Sequence, residues 1–183
     1  LGVHPHNAKE IDDQTYETLK VLCKNEKVRA FGEIGLDFYR NLSPREMQLD
    51  RFREQIALAR ELGLPIVIHD REAHQETLEV LKSEKAGDLG GIIHCFSGDY
   101  DMAKECIEMG FYISVPGSIT FKNAEPFREI VRKLPLESLL VETDAPFLTP
   151  IPFRGKRNEP GYVRYTAEKV AEIKKVSMDK VAE

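Results

Sequence analysis

Four residues with metal-ligating side chains each follow a short apolar run. Glu33 follows VRAFG, His69 follows LPIVI, His94 follows LGGII and Asp144 follows LLVET. Imidazole and carboxylate without thiolate suit Zn²⁺, Mn²⁺ or Mg²⁺. A cation held this way polarises a phosphoryl or carbonyl oxygen and acidifies water. One such residue at a strand end means little. Four in succession, all of ligand type, point to one convergent site. The alternative is that His69 and His94 are core histidines and that Glu33 and Asp144 make structural ion pairs.

Two further groups of residues fit the same chemistry. His4-Pro5-His6 is the molecule's single His-X-His, a spacing with which barrel hydrolases hold metal. The segment RGKRNEP puts Arg154, Lys156 and Arg157 within four residues, a short way beyond Asp144. A basic loop beside a metal centre suits a phosphate-bearing substrate; the alternative is a solvated surface loop. Arg71, two residues after His69, either contacts phosphate or pairs with a neighbouring carboxylate. Cys95 is no nucleophile partner for His94, because adjacent strand residues point to opposite faces. His74 reads as a helix residue. Asp37 and Tyr39 read as part of a loop after Glu33, touching substrate or folding that loop. Asp70 is a support for His69 or its neighbour, or a solvated carboxylate, and Gly117–Ser118 reads as a turn that could offer its backbone to substrate.

These residues need a scaffold that brings strand ends together. The apolar runs are Leu1–Val3, Val28–Phe31, Pro65–Ile68, Gly91–Ile93, Phe111–Val115 and Leu139–Val141. They are short, with little polar alternation, as strands buried on both faces are. Amphipathic helical patterns lie between them. In SPREMQLDRFREQIALARELG, Ser43 reads as an N-cap, Pro44 as the first helical residue, Glu46 as the capping-box partner and Gly63 as the stop. Asn123 reads as the cap of a helix with Phe127, Ile130, Val131 and Leu134 inward. Val163, Thr166, Val170 and Ile173 mark the last helix. Alternating strand and helix predicts an α/β fold with parallel strands. In a closed α/β barrel the carboxyl ends of the strands meet at one mouth.

The bulk composition narrows the function classes. The 183 residues, 42% hydrophobic, suit a single globular domain spanning 1–183. A net charge of −5 argues against a broad basic surface that coats duplex nucleic acid, though not against a local anion site. Cys23, Cys95 and Cys106 lack CxxC spacing and read as reduced cytosolic thiols. No run approaches the roughly 18 apolar residues of a membrane span, and no leader pattern opens the sequence.

The segments GEIGLDFYRN, LPIVIHDREA, GIIHCFSGDYDMA, YISVPGSITFKNA and LLVETDAPFLTPIPFRGKRNEP resemble the signature segments of the TatD family of metal-dependent deoxyribonucleases. The resemblance runs over nearly the whole chain, in the family's order. It implies a TIM-type barrel of the metal-dependent hydrolase kind. It also implies one or two divalent cations (Mg²⁺, Mn²⁺ or Zn²⁺) and hydrolysis of DNA phosphodiester bonds, commonly by exonucleolytic attack on single-stranded or frayed ends. Matched segment by segment, the metal ligands are Glu33, His69, His94 and Asp144. Glu33 is then the carboxylate suited to bridge two cations, and Asp144 both binds metal and accepts the proton of the attacking water. His4 and His6 match the family's GxHPH segment and are expected on the substrate side, with Arg71, Arg154, Lys156 and Arg157. The implied setting is cytoplasmic, monomeric and without a membrane.

The family's D-x-H-x-H segment is absent from the sequence. Six apolar runs stand where a barrel of this type has eight strands and about 250 residues. The expectation is therefore an incomplete barrel, lacking about two N-terminal βα units and the C-terminal end. Two other readings compete. One is an amide or ester hydrolase on the same barrel, such as an aminoacyl-tRNA deacylase, since fold does not choose the reaction. The other is a catalytically incompetent fragment, whose open sheet edges invite pairing with another chain.

Overall fold

The computed structural model describes residues Leu1–Glu183. Five strands form: β1 (Phe31–Asp37), β2 (Ile66–Arg71), β3 (Gly91–His94), β4 (Phe111–Val115) and β5 (Leu139–Val141). β1 pairs with β2, β2 with β3, and β4 with β5, all parallel. Within β1–β3 and within β4–β5 the strand order follows chain order, as successive strand–helix–strand units produce. The helices are α1 (Asp13–Leu22), α2 (Arg45–Leu62), α3 (His74–Ser83), α4 (Tyr100–Glu108), α5 (Glu125–Lys133), α6 (Val163–Lys174) and α7 (Met178–Ala182). None is long and apolar enough to cross a membrane.

Two strand expectations are corrected. Leu1–Val3 is not a strand, although Gly32 donates its N–H to the Leu1 carbonyl at 2.8 Å. The chain turns at once into a 3₁₀ segment, Pro5–Glu10, so the pairing cannot propagate. β1 starts at Phe31, where the expected run ended, and continues to Asp37. Its glycines interrupt the apolar pattern in sequence, yet one of them is what lets β1 lie close to β2. Glu33 therefore lies inside a strand rather than at its end, and Asp37 is a strand residue, not a loop residue.

Two capping expectations also fail. Gly63 does end α2, in the left-handed region at φ 65°. Pro44, however, is the N-cap of α2 and no side chain caps it. The buried Ser43 hydroxyl instead donates to the His6 carbonyl at 2.8 Å and accepts the Lys9 N–H at 3.1 Å. Asn123 is likewise displaced: Ala124 precedes α5, again with no side-chain cap.

The chain divides into two compact units, Leu1–His94 with Glu105–Phe111, and Cys95–Lys104 with Tyr112–Glu183. In the first, Ile34 and Leu36 of β1, Phe52 and Ile56 of α2, Ile66 and Ile68 of β2 and Leu81 of α3 are all but sealed from solvent. In the second, α6 presents Val170 and Ile173 to Val115, Ile119 and Val131, with Phe127 packed against them. The inward face expected for α6 is thus the one observed.

Candidate metal centre

Glu33 owes its direction to an irregularity in β1. The register with β2 runs Gly32↔Val67 and then Ile34↔Ile68, leaving Glu33 unmatched between them. A bulge of this kind re-aims the side chain of the extra residue. Ile34 and Leu36 take the sealed face of β1, so Gly35 and Asp37 lie on the other. On β2, His69 falls between the buried Ile68 and Asp70 and so faces away from them. His94 ends β3 in register with His69.

These placements converge on one oxygen. Glu33 Oε2 lies 3.7 Å from His69 Nδ1, 3.7 Å from His94 Nε2 and 3.9 Å from His4 Nε2. One ligand atom from each of His4, Glu33 and His69 falls within 4.8 Å of the others. The neighbouring His69 ring, foremost, holds the Glu33 carboxyl below its ordinary range; burial opposes this, and His94 and His4 reinforce it. Burial drives His4 the other way, down to about 4, with repulsion from His69 and His6 adding to the effect and Glu33 and Asp37 opposing it. At neutral pH the cluster therefore offers an ionised carboxylate and a neutral His4 imidazole. The Glu33 carboxylate with the His69 and His94 rings beside it fits a divalent cation of the zinc or manganese class.

A second carboxylate, Asp37, stands behind the first. It is fully buried at the end of β1. Its Oδ2 lies 2.7 Å from His6 Nε2 and 3.2 Å from His69 Nε2. Its Oδ1 accepts the Arg40 N–H at 2.7 Å. Burial pushes the Asp37 carboxyl up, but the Arg40 N–H, the His6 hydrogen bond and the two imidazoles outweigh it and hold it below the ordinary range. Sequence reading placed Asp37 in a loop. A β1 extended to Asp37 would have put it four residues from Glu33 on the same face.

The other candidates fall elsewhere. Arg71 stacks over the Tyr39 ring at 4.1 Å rather than pairing with a carboxylate. Asp70 accepts from His74 Nδ1 at 2.7 Å across one turn, so it supports His74 and the start of α3, not His69. Asp144 follows β5 in the second unit, in the left-handed region at φ 54°, and its carbonyl accepts the Phe147 N–H at 2.7 Å. Arg154 lies 3.8 Å over the Phe121 ring and Lys156 lies 5.7 Å from the Phe153 ring, both in that unit, which also carries Arg157. Asn158, which the sequence did not single out, ties this loop to the Asp144 turn. Its buried amide donates to the carbonyls of Thr143 at 2.7 Å and Phe147 at 2.5 Å.

Known proteins resemble this chain over nearly its whole length. The family model described as TatD related DNase matches residues 1–183. A metal-dependent hydrolase of Bacillus subtilis, YabD, is 48% identical over 182 residues, covering 100% of this chain and 71% of its own length. A 3′-5′ ssDNA/RNA exonuclease TatD of Erwinia amylovora is 38% identical over 186 residues, covering 99% of this chain and 72% of its own length. The crystal structure of YJJV, a TatD homologue of Escherichia coli, superposes with a TM-score of 0.91 at 34% identity, over 100% of this chain and 71% of that one. The fold is thus the α/β barrel fold of those structures, and the chain belongs to the TatD family of metal-dependent hydrolases.

Proposed function

We propose that the protein hydrolyses phosphodiester bonds in single-stranded DNA or at frayed DNA ends, as a metal-dependent exonuclease. The observation that carries this reading is the convergence of His4, His69 and His94 on the Glu33 carboxylate. The RGKR segment supports a phosphate-rich substrate, as does the name of the Erwinia relative. Phe147, three residues after Asp144, is 67% exposed, and exposed aromatic rings are what unpaired bases stack on.

Glu33, His69, His94 and Asp144 are assigned to hold one or two divalent cations, Asp144 on the strength of its ETDAP motif. When bound, the metal supplies Lewis acidity at the phosphoryl oxygen and makes water easier to deprotonate. Asp144 takes the proton of the attacking water. The water oxygen bonds to phosphorus, the P–O bond to the sugar oxygen of the adjoining nucleotide breaks, and that oxygen takes up the proton that Asp144 gained, directly or through solvent. His4 and His6 hydrogen-bond the phosphate, while Arg71, Arg154, Lys156 and Arg157 offset its charge.

The test is release of nucleotides from end-labelled single-stranded DNA with Mg²⁺ or Mn²⁺, beside a panel of amides and esters. Chelator-sensitive release that Asp144→Asn abolishes supports the reading. Hydrolysis confined to the amide or ester panel, or a wild-type rate for Asp144→Asn on DNA, contradicts it.

A further inference from the structure

We propose that Asp37 is a positioning carboxylate that orients His69 so that its Nδ1 lone pair faces Glu33, while His4 presents a hydrogen there instead. The proposal rests on the metal-centre reading above and adds a division of labour between two histidines that spacing alone makes equivalent.

The argument starts from what an ionised carboxylate can do. It accepts hydrogen bonds and donates none. Asp37 Oδ1 is occupied by the Arg40 N–H, and Oδ2 faces both His6 Nε2 and His69 Nε2. Each ring must therefore present Nε2–H to Asp37. A neutral imidazole with hydrogen on Nε2 keeps its lone pair on Nδ1. In His69 that is the atom 3.7 Å from Glu33 Oε2. A carboxylate behind a ligating imidazole fixes ring orientation and raises the ligand's basicity.

His4 is set the opposite way. Its Nδ1 accepts the backbone N–H of His6 at 3.2 Å. With that lone pair engaged, neutral His4 carries its hydrogen on Nε2, the atom facing Glu33. His4 is then a donor to an oxygen in the site, such as a phosphate oxygen, and not a ligand.

Asp37 is itself held with little freedom. Its N–H donates to Gln48 Oε1 at 2.8 Å, and Gln48 Nε2 donates to the Ser43 carbonyl at 2.7 Å. The Ser43 hydroxyl closes the circuit on the His6 carbonyl. Ser43, Gln48 and Asp37 are each at most 1% exposed. A buried polar network that is fully satisfied specifies one geometry and leaves few alternatives. Here the geometry specified is the angle of two imidazole rings.

The test uses the chain labelled with ¹⁵N-histidine, stripped of metal by chelator, at a pH where imidazoles are neutral. Long-range ¹H–¹⁵N spectra report which ring nitrogen carries hydrogen. The expected result is Nε2–H for His4, His6 and His69, with the His69 assignment lost or mixed in Asp37→Asn. Mn²⁺ or Zn²⁺ affinity of that variant should fall roughly 10- to 100-fold. Hydrogen on His69 Nδ1 in the wild type overturns the proposal, whether or not the variant folds. So does a folded Asp37→Asn whose His69 tautomer and metal affinity match the wild type, because a merely structural Asp37 would change only the melting temperature. Neither readout involves substrate, so failure of the nuclease reading leaves this result standing.

Discussion

A Cβ placed on Gly35 would lie 2.0 Å from the carbonyl oxygen of His69. Gly35 also sits at φ +139°, which side chains rarely adopt. The two strands that carry the centre are therefore seated against each other through a glycine. Gly35→Ala should cost about 3 kcal/mol or more, from strain and the clash together. Gly161→Ala, where a Cβ meets nothing within 4 Å, should change stability by less than about 0.5 kcal/mol. Urea unfolding of both variants checks the contrast, and equal losses would contradict it.

Cys106 supplies a dependence on alkaline pH. Burial first, then the nearby Asp70 and Glu105 charges, pushes its thiol up to about 12, from an ordinary value of 9.0. Between those values the unfolded chain releases a proton that the folded chain keeps. Stability from this group is therefore intact below pH 9 and falls as pH rises, by up to about 1.4 kcal/mol per pH unit. Denaturation midpoints measured from pH 8 upward should fall less steeply for Cys106→Ala than for the wild type. In the folded protein at pH 8, a thiol reagent should leave Cys106 unmodified.

The basic loop should act through charge. Arg157→Ala is expected to weaken single-stranded DNA binding while leaving the fold intact. If the residue meets one phosphate, the slope of log affinity against log salt should drop in magnitude by about 0.7. Fluorescence anisotropy at several salt concentrations measures this. An unchanged slope for Arg154→Ala, Lys156→Ala and Arg157→Ala alike would remove the loop from the substrate path.

The sequence made the repeating architecture legible because strands buried on both faces carry continuous apolar runs. Glu33, His69 and His94 were legible as strand residues because each lies in or at the end of such a run. It failed at β1, where glycines needed for close strand approach break the apolar pattern. That misreading moved Asp37 into a loop and hid its relation to Glu33. Ser43 was misread for a related reason. Its position before α2 suits a cap, but a long-range hydrogen bond to the Pro5–Glu10 segment claims its hydroxyl. Such partners, 37 residues apart in the chain, leave no local signature. Asn158 was invisible in the same way, since its amide serves carbonyls 15 and 11 residues upstream.

The central claim is that Glu33 is the hub of a divalent-metal site. Its most direct test is Mn²⁺ binding, followed by electron paramagnetic resonance, to the metal-free wild type and to Glu33→Gln. The wild type should bind one or two Mn²⁺, and the variant should lose at least about tenfold in affinity, since losing a ligand costs no less than losing its supporting partner. Equal Mn²⁺ affinity in the wild type and a folded Glu33→Gln would contradict the account.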